Sequence, residues 1–416
     1  MDDLSTAHTV QERRCPVDTS LHSKLRTPEF AANPFDLLGE LRESGPVHRC
    51  EPPGAAPIWL ITRHAEGAAA LTDPRLVKDP TAVGLPAGWQ PGTETSQLWS
   101  KDLASNDPPN HTRLRKLVAR PFTKRRVEAM RPGIEKAARE LRETMVRHET
   151  FDLVTEFAGG LTTATICDLL GIPAADRDTF QGWADTFFTV TVPGQADNDL
   201  FVSITKYFAR LIARKRDDPQ DDLLSALIKD TGDDKLDGHE LISMASSLLL
   251  TGHEPAVRLI GNILFSLLHR PELVRELRED PSLIPATIRE IIRFDSPALT
   301  SLVRFAAEDI EMGDVVIRRG DAVLVSLLSA NRDPAKFEQA DEFLPARDTA
   351  GHLGFGLGIH FCIGAQLAQL EAEVAVRELL PLLPELSLAV PESELPYHPG
   401  LQMYGVQSLP VCLRRT

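Results

Sequence analysis

The run GFGLGIHFCIGAQLAQLEAEVAV, Gly354 to Val376, constrains this chain more than any other segment. Gly354, Gly356 and Gly358 precede Cys362, Gly364 follows it, and a helical pattern with Leu367, Leu370 and Val374 on one face starts at once near Ala365. Small residues let a backbone lie close to a flat group, and amide N–H groups at a helix N-terminus stabilise a thiolate. An isolated cysteine in a glycine-rich turn reads as a small core residue. The ordered surroundings of Cys362 point instead to a ligand thiolate.

Elsewhere the 3.6-residue period dominates, in Leu114, Leu117 and Val118, in Leu241, Met244, Ala245, Leu248 and Leu249, and in Ile284, Ile288, Ile291 and Ile292. A short amphipathic helix is predicted within FAANPFDLLGELRESGPV. Strand character is confined to Pro57–Thr62, Val315–Ile317 and Ala322–Ser326. The fold class expected is mainly α with a small β region. Thr81–Asn106 and Val190–Asp199 lack a period and read as long loops of the kind that form lids. Residues 1–20 are expected to be a flexible leader and residues 21–416 one domain, with order beginning near Leu25.

Lys and Arg total 45 against 60 Asp and Glu, a formal charge of -15, which argues against nucleic acid as a partner. No run approaches about 18 uninterrupted apolar residues, and the polar start MDDLSTAHTVQERR has no signal-peptide core, so no membrane partner and a cytoplasmic location are expected. Five scattered cysteines without CxxC spacing suggest neither a disulfide framework nor a zinc site.

FGLGIHFCIGA resembles the haem-binding loop FxxGxxxCxG of the cytochrome P450 family, with Phe355, Gly358, Cys362 and Gly364 at the matching positions and Gly356 within the loop. The resemblance runs over roughly residues 25 to 412. It implies haem b with Cys362 as the axial iron ligand, held between the cysteine-loop helix and a long central helix. It further implies that His111 and Arg115 in NDPPNHTRLRKLV, together with Arg304 and His360, hold the haem propionates by charge-assisted hydrogen bonds. Glu290 and Arg293 in ATIREIIRFDSP, with Arg347 in FLPAR, match the family's buried carboxylate–guanidinium cluster; read bare, such a pair is a solvated surface contact. Arg113, Lys116, Arg120, Lys124, Arg125 and Arg126 form a basic patch on an acidic chain, and in the family this side receives a small acidic ferredoxin. No fused redox domain is visible, so ferredoxin and ferredoxin reductase are the implied electron donors, with O2 and a small molecule as substrates.

LISMASSLLLTGHEPAVRLIGNILFSLL looks like the family's central helix, with Thr251, Glu254 and Pro255 at its catalytic middle. The acid is retained as Glu254, but Pro255 stands where the family usually keeps a threonine. A proline removes one backbone donor and presses on the carbonyl of Thr251, so a kink or local widening is expected, with room for water or polar substrate atoms. Two outcomes follow: hydroxylation or epoxidation through Glu254, water and substrate polar groups, or oxidative C–C or C–N coupling without oxygen insertion. A non-catalytic haem sensor or carrier is the reading of a different class. The sequence style resembles actinobacterial members that tailor polyketides and small peptides, which implies a secondary-metabolite substrate. The substrate pocket is expected to use Leu98, Trp99, Phe187, Ser247, Leu250, Thr251, Thr300, Gln402 and Met403.

Overall fold

The computed structural model describes residues 21–51, 57–84, 100–189, 198–229 and 235–414. Helices carry most of the chain. The anticipated strands are present, Ile58–Ile61, Val315–Ile317 and Ala322–Val325, but they are not the only ones. The described residues contain ten, all of two to four residues: β1 (Val47–Cys50), β2 (Ile58–Ile61), β3 (Leu76–Val77), β4 (Thr150–Asp152), β5 (Arg304–Ala306), β6 (Ile310–Met312), β7 (Val315–Ile317), β8 (Ala322–Val325), β9 (Leu386–Leu388) and β10 (Pro410–Leu413). Elements this short show too few alternations to be read as strands.

One sheet has the order β1-β2-β8-β5-β3, a second β4-β10-β9, and a third joins β6 to β7. In the first, β2 and β8 run parallel and the other pairs antiparallel. The register Leu76↔Ala306 and Val77↔Phe305 brings the segment after β3 against the start of β5.

The central helix spans Gly238–Leu268. Asp237 caps it by accepting from the backbone N–H groups of His239 and Glu240, and Glu240 returns a carboxylate to the Asp237 N–H at 2.9 Å, a complete capping box. The helix packs on the helix Gly159–Leu170 and on the cysteine helix Ala365–Leu379, inside one large apolar cluster. Its burial nearly all round is why it reads as a continuous apolar run. The helix continues through Pro255, which stands inside it, and the packing on both sides outweighs one lost backbone bond. Leu153–Leu170 is long and apolar enough to cross a membrane, but 72% of it is buried inside the protein, as a core helix is.

Of the two expected loops, residues 85–99 and 190–197 lie outside the described residues, as does the leader 1–20. Pro80–Val83 forms a 3-10 turn, and Asn198 and Asp199 already belong to a helix that runs to Asp217, which corrects the loop boundary there.

Candidate functional site

The cysteine loop is shaped by close backbone approach. Gly356 and Gly358 adopt φ of 71° and 76°, and a Cβ at Gly358 would lie 3.1 Å from the Leu71 carbonyl oxygen. A Cβ at Gly354 would lie 2.7 Å from Ile292 Cγ2 and 2.8 Å from its carbonyl oxygen. Gly364 differs: a Cβ there would sit 3.9 Å from the Cys362 sulphur, an ordinary contact, so its use is as the residue that opens the helix Ala365–Leu379. The Cys362 N–H donates to the Phe355 carbonyl at 2.9 Å and fixes the turn. Burial pushes the Cys362 thiol up, against the backbone N–H groups of Gly364 and Ala365 and the charge of Arg115, which lower it. Yet Cys362 has accessible surface, and Ile359 and Phe361 beside it are 49% and 41% exposed. The residue is thus open on one side while its thiol is desolvated by the protein around it.

The opposite element gives the matching sign. Thr251 and Gly252 are exposed in the middle of an otherwise buried helix that packs on the cysteine helix. Exposed residues on a helix face between packed elements mark a groove beside the cysteine helix.

One edge of this region is strongly cationic. His111 and Arg115 lie one turn apart on the helix Asn110–Val118. Arg115 donates to the carbonyls of Ile359 at 2.9 Å and Phe361 at 2.7 Å. The His111 and His360 rings are 4.4 Å apart, and His111 Nδ1 and Nε2 and His360 Nε2 are buried without a hydrogen-bond partner. Arg304 donates to Leu76 O and Leu71 O at 3.2 Å, and its Nε is likewise unpartnered. Burial, then the charges of Lys78 and Arg304, pushes His360 down to about 3; burial lowers His111 as well. Lys78, which the sequence reading passed over, is buried against the same group and is pushed down to about 7 by burial and by Arg304. Among the described residues no carboxylate lies within ion-pair reach of Lys78, Arg115 or Arg304. Unfilled buried donors of one sign call for an anionic ligand. A flat, largely apolar macrocycle with two carboxylates fits this groove, its cationic rim and its thiol.

Behind the loop, Glu290 and Arg293 are both 0% exposed. Arg293 Nε and Nη2 bond to the two Glu290 oxygens at 2.8 and 2.7 Å, and Glu290 Oε1 also accepts from the Leu344 N–H at 2.9 Å and from Arg347 Nε at 3.3 Å. The three residues therefore meet as a buried network, not a solvated pair.

On the central helix, Glu254 is clamped by Arg258, one turn later, with Nε to Oε1 at 2.7 Å, and Arg258 also donates to the Val406 carbonyl. Arg258 was not anticipated, although its i,i+4 spacing from Glu254 was visible. His253 Nε2 bonds to Thr163 Oγ1 at 3.0 Å, and the Thr251 hydroxyl donates to the Ser247 carbonyl at 2.7 Å.

The substrate residues divide. Leu98 and Trp99 lie outside the described residues, and Phe187 is placed on the helix Arg177–Thr189 without a described side chain. Ser247 is half-buried and donates to Asp102, a buried carboxyl that burial pushes up and that was not anticipated. Gln402 is exposed. Leu250, 1% exposed, packs in the main core, Thr300 is buried with its hydroxyl on Leu401 O at 2.8 Å, and Met403 is buried and bridged to Ala298. Of the basic patch, Lys116, Arg120, Lys124, Arg125 and Arg126 are exposed, but Arg113 is tied inward to Glu240 and Asn110 and leaves the patch.

A model of the family described as Cytochrome P450 matches residues 195–382. The chain is 40% identical over 395 residues to cytochrome P450 monooxygenase PikC of Streptomyces venezuelae, covering 93% of this chain and 92% of that protein. It is 39% identical over 402 residues to 6-deoxyerythronolide B hydroxylase of Saccharopolyspora erythraea, covering 94% and 98%. The solved structure of the bacillaene polyketide synthase cytochrome P450 PksS of Bacillus subtilis superposes with a TM-score of 0.86 at 35% identity, over 94% of this chain and 99% of that one.

Proposed function

The chain belongs to the cytochrome P450 family, a haem-dependent oxidoreductase that needs O2, redox partners and a small substrate, and from that premise we propose that it hydroxylates or epoxidises a polyketide or small-peptide natural product. The observation that carries this reading is the desolvated Cys362 thiol beside a groove rimmed by cations with unfilled donors. The hydroxylase and the polyketide synthase P450 among its relatives support the substrate class.

When bound, haem would supply the oxygen activation, with the Cys362 thiolate holding its iron and donating electron density to it. His111, Arg115, Arg304 and His360 would hold its carboxylates. Thr251 and Gly252 wall the groove, and Glu254, held in place by Arg258, would pass protons toward it. Pro255 offers no hydroxyl, so water or a polar atom of the substrate completes that path. The same feature favours the second reading, oxidative coupling of two substrate units without oxygen insertion, because that outcome asks for less proton control after the oxidant has formed. Electrons would come from a ferredoxin and its reductase, received on the exposed Lys116, Arg120, Lys124, Arg125 and Arg126. Residues 21–416 would act as one catalytic domain in the cytoplasm, preceded by a leader.

The test is the absorption difference spectrum of the reduced protein under carbon monoxide, with Cys362→Ser as its partner. A Soret band near ~450 nm that the variant loses is expected of thiolate ligation. Well-folded, haem-loaded protein without that band would overturn the oxygenase reading in favour of a sensor or carrier.

A further inference from the structure

The cationic rim contains one residue more than the four that resemblance supplies. The antiparallel register Leu76↔Ala306 and Val77↔Phe305 ends one residue short of Lys78, next to Arg304 at the start of β5. Like charges held close together are destabilising, and both of these side chains are buried. Asp107 and Asp102 act on Lys78, and Asp107 on Arg304, by charge at a distance, but neither carboxylate forms an ion pair with them. Asp107, the nearest acid, is engaged with backbone: its Oδ2 accepts from the N–H groups of Lys78 at 2.8 Å and Asp79 at 3.0 Å. The Asp107 carbonyl accepts from the His111 N–H at 2.9 Å, so the same residue ties Lys78 to the helix that carries His111 and Arg115. The Lys78 ammonium rests on two neutral carbonyls, Leu302 O and Val303 O, both at 3.0 Å. An ammonium has three donors, and these contacts engage two. Next to it stand the unfilled Nε of Arg304 and Nε2 of His360.

We propose that Lys78 is a fifth member of the haem cradle, closing on a haem carboxylate beside Arg304 and His360 and raising the reduction potential of the iron. The proposal rests on the haem-thiolate reading. It explains why a like-charged pair is tolerated at the β3–β5 junction: the dianionic edge of the cofactor supplies in contact the counter-charge that Asp107 and Asp102 supply only at a distance. The lowered affinity of Lys78 for its proton in the protein alone agrees with this, since an adjoining carboxylate restores the charged form. A positive charge near the iron favours the less positive, reduced state.

The experiment uses the haem-loaded protein with Lys78→Gln and Lys78→Arg, and Arg304→Gln as the reference. Two quantities are read, the midpoint potential in a spectroscopic redox titration and the rate of haem transfer to excess apomyoglobin. Lys78→Gln is expected to lower the reduction equilibrium at least threefold, about 28 mV at 59 mV per tenfold for one electron, and to speed haem transfer several-fold. Lys78→Arg, which keeps the charge, should stay within twofold on both. If Lys78→Gln does not hold its fold, Lys78→Met keeps the stem without the charge and is read the same way. Unchanged potential and transfer in the neutral variants, with Arg304→Gln altered, would leave Lys78 a purely structural residue and overturn the proposal. If Arg304→Gln also leaves both unchanged, the carboxylate cradle itself is wrong.

Discussion

Replacing Arg258 by methionine isolates the interaction that holds the groove's acid. Glu254 and Arg258 are both buried, with Nε and Oε1 2.7 Å apart and the second arm of the guanidinium on the Val406 carbonyl. Two unit charges about 4 Å apart interact by about 4 kcal/mol at an effective dielectric constant near 20. Removing one partner of a buried pair costs about 3–5 kcal/mol, chiefly because the other charge stays behind. The lost bond to Val406 adds about 1 kcal/mol, offset in part by the apolar methionine. Arg258→Met is therefore expected to destabilise the haem-loaded protein by about 3–5 kcal/mol in denaturant unfolding at neutral pH. Glu254→Gln with Arg258→Met should recover at least half of that loss, because no charge remains uncompensated, so the costs of the two single variants do not add. A single-variant cost under about 1 kcal/mol, or costs that simply add in the double variant, would refute the clamp.

Three further outcomes follow from the same coordinates. The Glu371 carboxyl is buried in the cysteine helix and pushed by burial up to about 8 from an ordinary 4.5. Below about 4.5 both folded and unfolded chains hold that proton; as pH rises toward 8 only the folded chain does, so stability falls with pH, and Glu371→Gln should remove several kcal/mol of that loss, measured as unfolding midpoints at pH 5 and 8. Gly354→Ala should cut haem content per protein through its clash with Ile292, at a cost of about 1–3 kcal/mol, whereas Gly133→Ala, where an added Cβ meets nothing within 4 Å, should leave haem content intact. Glu290→Gln leaves the Arg293 guanidinium buried without its counter-charge and should cost about 3–5 kcal/mol, read by thermal unfolding of purified protein; a cost near zero would mean that the network holds nothing together.

Legibility differed from element to element for physical reasons. The cysteine loop could be read because glycine placement, a thiol and a helix start are all local in the chain. The Glu290–Arg293 pair could be read for its spacing, but its burial could not, since burial depends on Leu344 and Arg347 arriving from about 50 residues away. Lys78 was invisible because its meaning comes from strand register, and a two-residue strand carries no pattern that fixes register. The burial of Leu250, Thr300 and Met403 was not legible for a related reason: the period of a helix gives a buried face but not which neighbour covers it, and the loops that carry the other two pair with distant backbone. Pro255 was legible as a residue without a donor, whereas the continuity of its helix depends on neighbours that the local sequence does not name.

The helix Asn110–Val118 touches three things at once. Its inner side carries His111 and Arg115, its outer side shows Lys116 to solvent, and Arg113 is joined to Glu240, the residue that closes the cap of the central helix. A nine-residue rod so short does not bend, so a displacement at one contact is transmitted to the other two. Any ligand in the groove that shifts the start of the central helix must then change the affinity of whatever binds the outer side, and by thermodynamic reciprocity the outer ligand changes the groove's affinity by the same factor. Occupancy of the groove and binding on the outer side would be coupled through the Arg113–Glu240 joint, weakened by salt to the extent that the joint is open to water.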